Sequence, residues 1–341
     1  MKRKMAIGIF ILVLVLCISF LNNIVNIIIN IQWYKQAGYL SVYFTKLIAV
    51  CKLMIPLFIV SFIGIWLYYK SLRISIIKYR KVVEVKSSKV KIERKIVFVI
   101  DLIVSFLASY VFASTYWYRI LQFTNSVPFN KKDPILNLDI SFYIFKLPLI
   151  QSIYSALVSL FILLGLITLF TYFILSMKDR FVSRNFKKNF GKINILDSGL
   201  TRFAGKQLAV LAALIILCVS IGYILKCINL VYSQNGVAFG ASYTDVHVSL
   251  LFYKIIVVAS FISAIVIFIN VIRVKIKPIV ASIVVIIVLI VSGNLMALVV
   301  QNFVVKSNQK TLESPYIKYN IDYTRSAFNI NNVDVRSFQV K

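Results

Sequence analysis

The sequence predicts an all-α membrane protein: a bundle of seven transmembrane helices, N-terminus inside and C-terminus outside, with structured outer loops. Three observations predict it. The 341 residues are 60% hydrophobic and 15% charged, with a mean hydropathy of +0.88, whereas a soluble domain is roughly half apolar and about a quarter charged. The apolar residues gather in runs long enough to cross a bilayer as helices, which takes about 20 residues because lipid offers backbone groups no partner. The basic residues behind the net charge of +28 concentrate in alternate loops. This balance excludes a soluble globular domain, a disordered chain and a disulfide scaffold. Strands of a membrane barrel would instead alternate in polarity over about ten residues.

The first span runs from about Ala6 to Ile28, after Lys2, Arg3 and Lys4. A basic start of this kind can open a cleaved leader. Here the apolar run continues to Ile31, no small-x-small site follows, and Leu16 stands where a lipoprotein box needs a small residue before Cys17. An uncleaved helix is expected. The remaining spans cover about Leu47 to Tyr69, Ile96 to Tyr116, Leu149 to Leu175, Leu208 to Leu230, Leu250 to Val271 and Ile279 to Val300. Residues 1–300 therefore form the expected membrane domain, and 301–341 the start of an extracytoplasmic region.

Orientation follows from Lys and Arg, which are retained on the cytoplasmic side during insertion. With the N-terminus inside, the segments 1–5, 70–95, 176–207 and 272–278 hold 24 of them, and the outside loops 29–46, 117–148 and 231–249 hold 6. Topology accounts for most of the charge, and no nucleic-acid partner is expected. The basic segments interleave apolar residues, Ile74, Ile76, Ile77, Val82, Val83 and Val85 in one and Phe181, Phe186 and Phe190 in the other. They suit anionic lipids at the inner leaflet as well as simple retention.

Charges within the spans mark either transport paths or snorkelling side chains. Lys52, Lys226 and Lys254 lie four or five residues from the outer ends of their spans, and Asp101 lies five from an inner end. At 1.5 Å per residue that is roughly 6–8 Å deep, within reach of the headgroups, so snorkelling is expected for all four. The three lysines share their depth with Asp133, Asp139, Asp245 and His247 of the outer loops. These seven residues form a candidate outer-face polar cluster. No catalytic, cofactor-binding or metal-ligating residue is assigned. Cys17, Cys51, Cys218 and Cys227 all fall in predicted spans and there is one His, so buried thiols are expected and no metal or other cofactor.

The outer loops carry the most distinctive text. One opens with Tyr116, Trp117 and Tyr118, ordinary interface anchors, and then reads DPILNLDISFYIFKLP from Asp133 to Pro148. Its apolar residues and few charges imply a segment packed on the bundle. The other reads NGVAFGASYTDVH from Asn235 to His247, with Gly236 and Gly240 for tight turns. Asp245 and His247 could be an acid–base pair or could satisfy backbone groups.

These two loops resemble an uncharacterised family of large multi-pass bacterial membrane proteins, number 0182. So do WYKQAGYLSVYFTKL from Trp33 to Leu47 and QNFVVKSNQKTLESPYIKYNIDYTRSAF from Gln301 to Phe328. The resemblance implies a seven-span region followed by a large extracytoplasmic part, in the bacterial plasma membrane. Departures fall at Ser307, Asn308 and Gln309, where relatives tend to have Pro-Asn-Glu. Others fall at Lys226, Cys227 and Asn229, where they carry charged residues. Relatives continue well beyond Lys341, so the chain reads as the membrane half of something larger. No molecular activity comes with the resemblance.

Three functions remain open on these residues. The first is a membrane anchor for an extracytoplasmic envelope domain, with the bilayer and an envelope protein as partners. The second is a transporter or channel using the outer polar cavity, and the third a membrane-embedded enzyme built on Asp139, Asp245 and His247. No phosphate-binding loop, nucleophile elbow or HExxH occurs, so nothing points to energy coupling or a named reaction.

Overall fold

The computed structural model describes residues 21, 24–80, 88–186, 199–273 and 276–330. Most of the first predicted span, including Cys17, lies outside them, as do Phe190 and residues 81–87 of the basic segments. Every regular element among the described residues is helical, apart from an isolated antiparallel bridge between Lys132 and Asp139. Helices α1 (residues 24–36), α2 (Leu40–Arg80), α3 (Ser88–Thr124), α4 (Leu147–Phe186), α5 (Gly199–Asn229), α6 (Leu250–Arg273), α7 (Ile276–Val299) and α8 (Gln309–Ala327) follow in order. Among the described residues, six helical segments are long and apolar enough to cross a membrane: Leu40–Ile76, Arg94–Thr124, Phe142–Ile174, Lys206–Tyr232, Asp245–Val271 and the start of Lys277–Ala327. They coincide with the second to seventh predicted spans. The helices overshoot the apolar runs at both ends because hydropathy marks only lipid-immersed residues, whereas Lys and Arg flanks are good helix formers.

The chain divides into two compact units, Met1–Tyr68 with Lys86–Asn125, and Tyr69–Val85 with Ser126–Lys341. In the first, the expected loop 29–46 is instead a helical hairpin. Gly38 adopts φ +77°, and the Tyr39 and Gly38 amides donate to Tyr34 and Lys35 carbonyls at 2.9 and 3.2 Å. This double closure lets α1 stop and α2 begin within three residues, and it needs the left-handed conformation that glycine takes without strain. Helices α2 and α3 mesh through edge-on aromatic pairs, Phe62 and Trp66 against Phe98 and Phe58 against Phe106. Asp101 is 3% exposed. Its Oδ1 accepts the Ser105 hydroxyl at 3.1 Å, and Oδ2 has no partner among the described residues. Asp101 is thus turned inward rather than snorkelling.

The second unit is built on α4 to α7. Ala213, Ile216, Ala264, Ile267, Val271 and Ile286 form its core from α5, α6 and α7. Small residues let these helices approach: a Cβ on Gly222 would collide with the Tyr154 hydroxyl, and one on Gly293 would press on the Phe252 ring at 3.0 Å. Polar side chains bridge the helices, Ser220 to the Val257 carbonyl at 3.0 Å and Gln151 to Asn229 at 2.7 Å. Phe261, Phe268, Val284, Val288 and Leu295 face outward, a surface suited to lipid rather than water. Short π-helical turns stand at one end of this bundle, Phe142–Lys146 before α4, Asp245–Ser249 before α6 and Val300–Val305 after α7. That is the end at which α8 folds back.

Candidate functional site

The loop leading to α4 is organised by its two aspartates. Asp133 is 3% exposed, and its carboxylate accepts the Ile135 and Leu136 amides at 2.8 and 2.9 Å and the Tyr143 hydroxyl at 2.9 Å. Pro134 after it favours such a turn, and Asn130 and Asn137 take the positive φ values of 56° and 58° that Asn tolerates. Asp139 caps the helix start. Its carboxylate accepts the Ser141 amide at 2.8 Å, and the Phe129 and Asn130 amides at 3.2 and 2.9 Å. These bonds, those from Ser141 foremost, hold the Asp139 carboxyl below the usual 3.8.

The loop leading to α6 is organised by a capping box. The Ser242 hydroxyl accepts the Asp245 amide at 3.2 Å, and the Asp245 carboxylate accepts the Ser242 amide at 3.1 Å. Each residue thereby satisfies an amide that the first helical turn leaves orphaned. Asp245 also accepts from Asn235 Nδ2 at 3.1 Å and from the Ser242 hydroxyl at 2.9 Å, and is 2% exposed. Gly240, at φ +124°, closes the loop by donating to the Ser233 carbonyl at 2.8 Å. Thr244 donates to Gln301 at the end of α7. His247 is exposed, stacks on Tyr243 at 4.2 Å, and lies 3.1 Å from the Tyr243 carbonyl through Nδ1.

Helix α8 ties both loops together. Glu313, 2% exposed, accepts the Tyr243 amide with both oxygens at 3.4 Å. Tyr316 lies 3.4 Å from His247 Nδ1, Asn320 donates to the Phe239 carbonyl at 2.6 Å, and Tyr323 donates to the Lys132 carbonyl. Burial, opposed by the Tyr243 bond and aided by the nearby Asp245, raises the Glu313 carboxyl above its usual 4.5.

Of the predicted polar cluster, Asp133 and Asp139 share one loop, Asp245 and His247 share the start of α6, and α8 connects the two pairs. Asp139, Asp245 and His247 each have separate hydrogen-bond partners. Lys226 is exposed on α5 with Nζ 4.4 Å over the Tyr223 ring, beside a cleft of about 290 Å³ lined also by Gln151, Tyr154 and Asn229. Lys254 is exposed on α6, and Lys52 is exposed on α2 of the first unit. Among the described residues no three His, Cys, Asp or Glu side chains group to hold a metal. Cys51 is exposed, Cys218 buried and Cys227 half-buried, all as free thiols.

Sequence reasoning missed Glu313 and the seating of α8. A signal existed: Tyr316, Tyr319 and Tyr323 recur at i, i+3 and i+7, one face of a helix. The S-x-x-D spacing of Ser242 and Asp245 ahead of an apolar run is likewise a helix-start signature.

Helical architecture among the described residues, with six helices there apolar and long enough to cross a bilayer, is that of a membrane protein. The chain belongs to the Uncharacterised protein family (UPF0182), whose model matches residues 7–341. A UPF0182 protein of Clostridium kluyveri is 69% identical over 341 residues, covering 100% of this chain and 38% of that protein. One from Clostridium botulinum (strain Kyoto / Type A2) is 52% identical over the same length, again 38% of its own. One from Clostridium acetobutylicum is 49% identical over 342 residues, with 99% of this chain and 37% of the relative covered. The chain thus spans less than two fifths of the length of these relatives. No solved structure matches.

Proposed function

We propose that this chain is the membrane anchor of an extracytoplasmic envelope domain in the bacterial plasma membrane, with its N-terminus inside. The observation that carries the reading is the clamping of α8 across the loops before α4 and α6 through Glu313, Asn320 and Tyr323. A polar helix fixed in this way gives whatever follows it in a longer protein a defined starting position and direction. The 24-to-6 distribution of basic residues supports the α8 end as the outer one. The acidic groups at this end, Asp133, Asp139, Asp245 and Glu313, are occupied in holding α8 and the loops, which favours an anchor over a transport path.

Two measurements test it. With Cys17, Cys51, Cys218 and Cys227 replaced by Ala, Ser307→Cys is expected to react with an impermeant maleimide in intact cells, and Ser71→Cys only after permeabilisation. The reverse pattern overturns the orientation. In the Clostridium kluyveri relative, external protease on protoplasts is expected to shave the part that follows the matched region. Full protection of that part would overturn the anchor.

A further inference from the structure

A cavity of about 260 Å³ lies between α8 and the two loops it crosses. Asp133 and Tyr143 line it from the loop and start of α4, Tyr232 from the turn after α5, and Tyr316, Tyr319 and Tyr323 from α8. Tyr143 meets Tyr232 edge to face at 5.8 Å and 74°. Tyr316 meets Tyr319 at 6.4 Å and 75°. Two near-perpendicular ring pairs from separate elements thus form the walls.

Ring faces carry the negative end of the aromatic quadrupole and attract cations. Asp133 is the one acidic or basic residue in the lining, and its carboxyl oxygens accept from two amides and a phenol. In a chain of net charge +28, this cavity is lined by five tyrosine rings, one acidic residue and no basic one. The cation–π pairs among the described residues use Trp117, Tyr116, Tyr223 and Tyr253, none of them a lining residue. Packing of α8 does not account for the rings alone, because Tyr232 and Tyr319 remain 41% and 43% exposed at the mouth.

We propose that this cavity binds a substituted ammonium group, carried by a free solute or by a lipid headgroup. A bare ammonium needs acceptors for three N–H groups and a hard metal ion needs several open oxygens, whereas Asp133 is 3% exposed and its oxygens already accept from two amides and a phenol. An alkylated ammonium spreads its charge over apolar methyl groups, which suit tyrosine faces and the Pro134, Ile135 and Ile140 side chains of the same wall.

The test uses the intact chain in nanodiscs of phosphatidylglycerol, whose headgroup carries no ammonium. Tetramethylammonium is titrated and followed by saturation transfer to its methyl protons, with choline, dihexanoylphosphatidylcholine and glucose as competitors. Saturable one-site binding displaced by choline is expected; stronger displacement by dihexanoylphosphatidylcholine identifies a headgroup as the source, and equal or weaker displacement a solute. Tyr319→Leu and Tyr232→Leu should each weaken binding about three- to thirtyfold, the loss of one ring, while Tyr319→Phe retains it. Absence of saturable binding, displacement by glucose as effective as by choline, or unchanged affinity in both leucine variants overturns the proposal. Should Tyr319→Leu unfold, Tyr232→Leu decides alone, since it lies on a different element.

Discussion

The Glu313 carboxylate of α8 straddles the Tyr243 amide at the start of α6, 3.4 Å from each oxygen, in a site 2% exposed to solvent. Burial raises its pKa above the usual 4.5, so the folded state holds the proton more tightly than the unfolded one. The stabilisation is complete below about 4.5 and is lost as pH rises through the folded value. Protection of the α8 amides, taken relative to their intrinsic exchange rates, is expected to fall over that rise, and Glu313→Gln to flatten the profile. An unaltered profile in the variant would remove Glu313 as its source.

Asp139 has the opposite sign. Its folded pKa lies below 3.8 because the Ser141 side chain first, and then the Ser141, Phe129 and Asn130 amides, hold the charged form. Its contribution is present above the unfolded value and fades as pH falls through the folded one. Asp139→Asn is expected to lose part of the acid-side slope in a thermal melt series, and identical slopes in both proteins would refute this.

Ser242→Ala removes the hydroxyl that accepts the Asp245 amide. Loss of an N-cap of this kind costs about 1 kcal/mol. Exchange at the Asp245 amide should rise about fivefold, a 1 kcal/mol change, with little change at the α5 core. Uniform exchange across both regions would count against a local capping role.

Gly222→Ala drives a methyl group into the Tyr154 hydroxyl across the α4–α5 contact. Overpacking of this kind costs about 1–3 kcal/mol. Combining it with Tyr154→Phe is expected to restore part of the loss, since the hydroxyl is the nearest atom. Strict additivity of the two changes in detergent unfolding would show that they do not touch.

Much of this architecture is legible in the residues, and the gaps have physical causes. The apolar runs from Leu47 to Val300 locate six long helices because lipid forces any apolar run of that length to satisfy its own backbone. The hairpin at Gly38 was harder to see, since polar residues between two spans read as loop while the glycine that closes a helix carries no hydropathy signal. Asp101 was misjudged for a related reason: depth along a helix says how far a side chain could reach outward, but not which way it faces. Asp133 and Asp245 are recognisable as loop organisers from Asp-Pro and S-x-x-D. The meeting of Glu313 with Tyr243 spans 70 residues, and nothing local announces it.

The π-helical turn at Val300–Val305 has one consequence for how this region tolerates change in length. A single residue added to or removed from a helix turns everything beyond it by about 100°. The face of α8 that carries Glu313, Tyr316, Asn320 and Tyr323 is therefore phased to its sockets by the residue count of this turn. Deleting one residue there would leave composition and hydropathy almost untouched, yet point every contact of α8 away from its partner.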